Sequence, residues 1–489
     1  MSFTRLDQLC HKLDSVSHAL SILGVDEAVM MPNGGGEQRA ISMAALSGMY
    51  HELATAPHIA DWIAKAEGET LDQQQKIAVA EFKRSYLNRT CLSAAFVQKQ
   101  TEQHLRCEQL WRALRPAGDW QGFMPSLSGV IDTMREEATL RADALKLSPY
   151  DALAEQYDPG ARVADIAPVF AELKSFLKDF IPVAVEKQKS QKLKPLSPPY
   201  AIDAQKSLGL EVMKALGFDF NHGRLDVSHH PFCGGVPTDV RMTTRYRTDE
   251  FLSALMGIMH ETGHGLYEQG LPKAWGHWPS GSARGMAMHE SQSLFVEKQL
   301  GRNPAFWDWA LPLLKIHFGD DWSKQDLLAH VHQVKPGFIR VDADEVTYPM
   351  HVILRFELEQ ELVSGAMKTR DIPEAWDAKM TQYLNLSTAD NMKDGPMQDV
   401  HWPSGAFGYF PSYTLGAMMA AQQWAAITRE NPKVNEDVAR GDFNGTTEWR
   451  RKNIWEKAST ASTPELMQQA TGEPLNAKYF IAHLQQRYG

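Results

Sequence analysis

The chain has 489 residues, 43% hydrophobic and 22% charged, which is the composition of a folded protein with a sizeable core rather than of a disordered chain. Fifty basic residues against sixty acidic ones give a formal net charge of −10, which argues against nucleic acid as the main partner. Four cysteines without a C-x-x-C pair, no signal peptide and no apolar run long enough for a bilayer predict a cytoplasmic protein without membrane association.

Most of the chain carries apolar residues at three- and four-residue steps, the period of a helix that buries one face. This period is present in residues 6–23, 40–54, 73–114 and 170–184. The first two of these segments are separated by Met-Pro-Asn-Gly-Gly-Gly at 31–36, which predicts a turn. The pattern indicates a mainly helical protein.

Two short segments predict strands. Residues 240–246 are rich in β-forming side chains, and Gly234 and Gly235 ahead of them predict a turn. The second candidate is 346–348, which ends at Pro349. Two short strands among many helices predict a mainly α fold with a small sheet.

The strongest chemical signal is His260-Glu261-Thr262-Gly263-His264, which follows an apolar segment that a helix would bury. Residues i and i+4 of a helix share one face, so both imidazoles can bind one Zn²⁺, and Glu261 can take a proton from water at the metal. With 18 histidines in the chain, chance alone would give this pattern in roughly one such chain in twenty or thirty. A zinc site therefore needs a third ligand.

Candidates for the third ligand can be compared by their spacing. Glu268 would lie about 12 Å from His260 along the helix axis, which is too far for a shared ion. Glu290 opens another helical pattern 26 residues after His264, and a second helix packed on the first could bring its carboxylate to the metal. We predict Glu290, with His289 as the nearest competitor; a glutamate that simply favours a helix N-terminus is the structural alternative. Three protein ligands leave a position for water, which is typical of catalytic zinc and predicts hydrolysis of a carbonyl derivative.

A zinc hydrolase also needs donors for the developing oxyanion. Residues 398–403, with His401, and 408–416, with Tyr409 and Tyr413, combine aromatic and polar side chains with Gly and Pro, as loops that line a site do. The alternative for each tyrosine is an ordinary packed aromatic residue.

Arginines are the candidates for binding a substrate carboxylate. Arg241, Arg245 and Arg247 alternate along the strand candidate, and Arg355 lies in an apolar helical setting where an unpaired charge is costly. Arginine suits bidentate binding of a C-terminal carboxylate, although Arg355 could instead pair with Glu359 or another acid. These residues predict a zinc peptidase without separating an exopeptidase from an endopeptidase.

Several motifs follow one another in the order of a known family. They are residues 31–39, His230-Pro231-Phe232, Asp239-Val240-Arg241-Met242-Thr243, the 260–264 motif, His289-Glu290-Ser291-Gln292, Gln398-Asp399-Val400-His401-Trp402 and residues 408–416. On these motifs the chain resembles the carboxypeptidase Taq (thermostable carboxypeptidase) family of zinc metallocarboxypeptidases. The Trp-Asp that usually precedes the first motif appears here as Val25-Asp26.

The resemblance implies a large helical body like that of neurolysin and angiotensin-converting enzyme, with a deep substrate groove and a small antiparallel β-sheet. It implies a broad-specificity carboxypeptidase, usually a homodimer, that acts on peptides with a free C-terminus and holds one Zn²⁺ per subunit, with Co²⁺ as an alternative. Because all motifs must meet at one groove, we expect residues 1–489 to form a single metallopeptidase domain, with two lobes flanking the groove.

The resemblance also assigns roles to single residues. It implies that Glu261 is the general base and that Arg241 and Arg355 hold the substrate's carboxylate. It further implies that the metal ligands are His260, His264 and Glu290. It implies as well that the transition state is stabilised by His401 and one of Tyr409 or Tyr413. Two other functions remain as alternatives to a carboxypeptidase. One is an oligopeptidase that cuts internally, and the other is a catalytically silent peptide-binding protein.

Overall fold

Helices make up most of the structure, a computed structural model that describes residues 1–189, 191–319 and 322–489. Ahead of the sheet the described helices are α1 (Ser2–Val29), α2 (Gly36–Thr55), α3 (His58–Ala66), α4 (Gln73–Thr90), α5 (Ala94–Leu114), α6 (Trp120–Leu145), α7 (Pro149–Ala154), α8 (Val163–Gln188) and α9 (Ile202–Ala215). After it they are α10 (Leu252–Gly270), α11 (Gly285–Leu294), α12 (Pro304–Phe318), α13 (Lys324–Val331), α14 (Tyr348–Ser364), α15 (Ile372–Leu384), α16 (Pro411–Glu430), α17 (Val434–Ala439), α18 (Asn444–Asn453), α19 (Thr463–Thr471) and α20 (Ala477–Tyr488). The mainly α fold is confirmed.

The four segments with a helical period all lie in helices. One of them, 73–114, is two helices rather than one, because Ser93 begins a new helix: its side-chain oxygen accepts a hydrogen bond from the Phe96 backbone amide, 3.2 Å away. Between α1 and α2, the predicted turn contains a short 3₁₀ segment at Asn33–Gly35. Within the described residues no helix is both long and apolar enough to cross a membrane.

The predicted sheet is present and has three strands, β1 (Gly223–Val227), β2 (Phe232–Val236) and β3 (Asp239–Thr244), in the order β1-β3-β2. β2 pairs antiparallel with β3 and β1 pairs parallel with it, so the expectation of a wholly antiparallel sheet is wrong. The two-residue turn at 237–238 places β2 antiparallel along one edge of β3, and β1 occupies the other edge in the direction of β3.

Two local predictions around these strands are wrong. Gly234 and Gly235 lie inside β2 rather than in a turn; a β-carbon at Gly235 would lie 2.1 Å from the Asp239 carbonyl oxygen, so the close strand approach requires a glycine there. Residues 346–348 form no strand, because the Asp344 carboxylate accepts hydrogen bonds from the Val346 and Thr347 amides, and Tyr348 then begins α14.

Most of the buried apolar residues that the structure describes belong to two clusters. The large one runs from Cys107 to Tyr488 and includes residues of β3, α10, α11, α14 and α16. The small one joins α1, α3 and α4 through residues such as Leu6, Ile63 and Phe82. Within the large cluster α11 packs against both α10 and α16, and this three-helix contact builds the site described next.

Candidate metal centre

The distance between α10 and α11 is set by a glycine. A β-carbon at Gly263 would lie 2.3 Å from the carbonyl oxygen of Gln292 and 2.5 Å from the Cα atom of Ser293, both backbone atoms of α11. The histidines of α10 and Glu290 of α11 therefore approach each other only because position 263 has no side chain. On the other side of α11, Gly416 of α16 packs against the Glu290 side chain.

Gly263→Ala should therefore separate the two helices. We expect the variant to lose about 1–3 kcal/mol of unfolding free energy and to bind metal more weakly, since the added methyl group meets backbone atoms. Thermal unfolding and metal content measure the two effects. The matched control is Gly257→Ala in the same helix, where the β-carbon meets open space and the better helix former should be neutral or stabilising. If both variants behave alike, Gly263 does not set the helix distance.

The three predicted ligands come together. The Glu290 Oε2 atom lies 3.5 Å from His264 Nε2 and 3.8 Å from His260 Nε2, and ligand atoms of all three residues lie within 4.8 Å of one another. Four ligands at about 2.0–2.1 Å around a tetrahedral Zn²⁺ lie roughly 3.4 Å apart. Two imidazole nitrogens and one carboxylate oxygen at these separations fit a zinc-type ion.

The second nitrogen of each histidine is held by a partner. His260 Nδ1 lies 3.0 Å from the Glu297 carboxylate, and His264 Nδ1 lies 2.6 Å from His289 Nδ1. His289 in turn contacts Glu268, 2.8 Å away, so both residues weighed as alternative ligands lie behind His264. Such partners orient the ring and leave Nε2 free for the metal.

Glu297 is suited to this supporting role. It lies in a π-helical segment, Phe295–Leu300, directly after α11. Burial acts to raise the pKa of its carboxyl, but Lys298, the hydrogen bond from His260 and Arg302 outweigh burial and hold that pKa below its usual value. An ionised acceptor fixes the proton of His260 on Nδ1.

Glu261 is buried beside the two histidines, with 7% of its surface exposed. Burial raises the pKa of Glu261 to about 7, against the lowering effect of His260. A carboxyl group with a pKa near neutrality can both accept and return a proton, which is the behaviour of a general base that later acts as an acid.

His401 and the two tyrosines form one aromatic group. The Tyr413 hydroxyl lies 3.2 Å from His401 Nε2, and the Tyr409 ring packs edge-on against Tyr413 at 5.3 Å between centroids. Burial lowers the pKa of His401 to about 4, so its imidazole is neutral. Tyr413, but not Tyr409, lines a cavity of about 530 Å³ together with His260 and Glu290.

The two arginines predicted to bind a carboxylate do not line this cavity, contrary to expectation. Arg241 of β3 makes two hydrogen bonds to its neighbour Asp239. Arg355 is completely buried, pairs with Asp399 at 2.5 Å rather than with Glu359, and lies over the Trp376 ring. An aspartate in direct contact neutralises each guanidinium.

Arg340 lines the cavity, and the sequence reasoning missed it. Its guanidinium donates to Asp399 (3.0 Å) and to the Tyr348 hydroxyl (2.8 Å) and lies 4.9 Å from the Tyr413 ring centroid. Residues 340–342 form a short 3₁₀ turn with no hydrophobic periodicity, so no local pattern marked it. Asp399, which lies in the motif at 398–402, could have indicated Arg340, because this one aspartate pairs with more than one arginine.

The family model described as carboxypeptidase Taq (M32) metallopeptidase matches residues 5–488. Thermostable carboxypeptidase 1 of Thermus thermophilus is 38% identical over 480 residues, which is 95% of this chain and 93% of that protein. Carboxypeptidase 1 of Bacillus subtilis is 31% identical over 487 residues, 98% and 96% of the two chains. The solved structure of Trypanosoma cruzi metallocarboxypeptidase 1 superposes with a TM-score of 0.98 at 38% identity, covering 100% of this chain and 99% of that one.

Proposed function

The chain belongs to the carboxypeptidase Taq (M32) family of metallopeptidases and is a metallocarboxypeptidase, and we propose that it releases single residues from peptide C-termini with broad specificity. The proposed cofactor is one Zn²⁺ per chain, held by His260, His264 and Glu290, with Co²⁺ as an alternative. The observation that carries the proposal is the convergence of these three ligand atoms. Two of the three residues, His260 and Glu290, line a cavity together with Arg340 and Tyr413.

The protein's own residues divide the work of hydrolysis. A bound Zn²⁺ would polarise the scissile carbonyl and make water more acidic. Glu261 takes the proton from the attacking water and passes it to the leaving amine, for which its raised pKa is suited. The Tyr413 hydroxyl, positioned by His401, donates a hydrogen bond to the carbonyl oxygen as negative charge develops there. Tyr409 supports the Tyr413 ring.

Arg340 takes the role first expected of Arg241 and Arg355, that of binding the substrate's terminal carboxylate. Arg340 and Arg355 share the single carboxylate of Asp399, so this group of three carries one positive charge in excess. Of the two arginines only Arg340 lines the cavity. Asp399 and Tyr348 fix its guanidinium, which lowers the entropic cost of binding a carboxylate. This charge favours cleavage at a free C-terminus over internal cleavage.

Removal and return of the metal test the proposed cofactor. Dialysis against a chelator should abolish peptide hydrolysis, and one equivalent of Zn²⁺ or Co²⁺ should restore it, because the ligands are two imidazoles and a carboxylate. Mg²⁺, which prefers oxygen ligands, serves as the control ion and should not restore activity. A metal-free preparation that retains full turnover would contradict the proposal.

We also propose that the chain forms a single metallopeptidase domain and acts as a cytoplasmic homodimer. The match of one family model to residues 5–488 supports the single domain, and four free cysteines support a reducing compartment.

The surface of α2 supports the homodimer. This helix buries only Ala54 and exposes Ile41 and Met49, which supports a contact of α2 with a second copy of the chain. Analytical ultracentrifugation should give twice the chain mass of 54.9 kDa.

A further inference from the structure

A second group of metal-ligating side chains lies outside the catalytic centre. Asp7 and His11 are one turn apart on α1, and His277 reaches them from the connection between α10 and α11. Ligand atoms of the three residues lie within 4.8 Å of one another, as they do in the catalytic group. The His277 Nε2 atom lies 2.9 Å from Asp7 Oδ1, and the His11 and His277 rings are stacked with centroids 3.8 Å apart.

The carboxylate of this group is fixed in place. Asp7 Oδ1 also accepts a hydrogen bond from the Trp278 indole nitrogen at 2.7 Å, in the manner of the outer partners that orient metal ligands. The side chains of Asp7 and His277 are 31% and 16% exposed, so both are partly withdrawn from water.

The packing of α1 against the connection between α10 and α11 does not require His11. The contacts of Asp7 with His277 and Trp278, together with the packing of Phe3 on Trp278, already join the helix to the connection. The His11 ring is exposed and has no hydrogen-bond partner among the residues that the structure describes.

We propose that Asp7, His11 and His277 form a second site for a divalent transition-metal ion of the Zn²⁺, Co²⁺ and Ni²⁺ class, weaker than the catalytic one. Two imidazoles and one carboxylate suit these ions, and water completes the coordination on the exposed side. The ion draws the nitrogens of His11 and His277 toward Asp7 and links α1 to the connection between α10 and α11.

An ion that joins α1 to this connection would also affect a second cavity, of about 430 Å³. His277 and Trp278 line it together with Cys10 and Asp14 of α1, and its lining also includes His289, the partner of the proposed metal ligand His264. An ion at the second site therefore stabilises a wall of this cavity. We expect it to raise the temperature at which the chain unfolds while leaving the catalytic ligands in place.

Metal titration of the chelator-treated full chain tests the site. Calorimetry and elemental analysis with Zn²⁺, and Co²⁺ absorption spectra, should show two ions per wild-type chain, the second bound more weakly. His11→Ala should bind one ion, keep its peptidase activity, and lose the rise in unfolding temperature that excess Zn²⁺ gives the wild type. The matched control is His18→Ala, which removes another exposed histidine of α1 and should still bind two ions.

Three results would overturn the proposal: one ion per wild-type chain, two ions in His11→Ala, or loss of the second ion in His18→Ala as well. The catalytic ion stays bound in the His11 variant and is followed by activity, so failure of the second site is distinguishable from failure of the proposed peptidase function.

Discussion

Glu261→Gln should lower kcat for peptide hydrolysis by about 10²–10⁴-fold, the usual contribution of a general base. Glutamine has the size of glutamate but cannot accept the proton of the attacking water. The catalytic metal should stay bound, because Glu261 is not among the three residues whose ligand atoms converge there. Initial rates on a free peptide, with metal content measured on the same samples, give both quantities.

The control for this substitution is Glu250→Gln, which makes the same chemical change just ahead of α10. It should leave kcat unchanged within about twofold, because Glu250 is not one of the converging ligands and glutamine can still accept the hydrogen bond that Glu250 accepts from the Ser253 amide. Turnover by Glu261→Gln at the level of this control would exclude Glu261 as the base. Loss of metal from the Glu261 variant would instead show a structural role at the metal site.

Arg340→Gln should lower kcat/KM for peptides with a free C-terminus by roughly 10–150-fold, the range that corresponds to a lost hydrogen bond to a charged group at about 1.5–3 kcal/mol. Amidated peptides lack the terminal charge, so their slow cleavage should change little. The discrimination between the acid and amide forms of one peptide should therefore largely disappear in the variant. Steady-state kinetics with matched acid and amide peptides measure this directly.

Arg241→Gln is the matched control, since Arg241 was also expected to bind the carboxylate but pairs with Asp239 away from the cavity. It should retain the preference for the free acid. A variant of Arg241 that loses this preference while Arg340→Gln keeps it would return the role to the residue first predicted.

The sequence predicted those parts of the site that depend on local spacing. His260 and His264 share a helix face because they are four residues apart, and the apolar segment ahead of them placed that helix correctly. Glu290 was reachable because it lies in a second helix, which begins five residues earlier at Gly285, and the close packing at Gly263 is what brings that helix to the first. Local periodicity and one close packing contact are enough to assemble the three candidate ligands.

The parts that the sequence could not predict depend on contacts between distant segments. The partner of Arg355 is Asp399, 44 residues away, and the same aspartate fixes Arg340 from 59 residues away. Nothing in the spacing of these residues tells which guanidinium is neutralised in the core and which faces a cavity. The same holds for Tyr409 and Tyr413, which share one motif but differ in what they line.

The central claim is that the chain removes residues from a free peptide C-terminus, and one comparison tests it most directly. The wild-type chain, loaded with Zn²⁺, is given a single peptide as the free acid and as the C-terminal amide, and the products are identified by mass spectrometry over time. We expect the acid to lose one residue at a time from its C-terminus, and the amide to be cleaved at least tenfold more slowly, as the loss of about 1.5–3 kcal/mol requires. Equal rates on both forms, with cuts inside the peptide, would show an endopeptidase and contradict the claim.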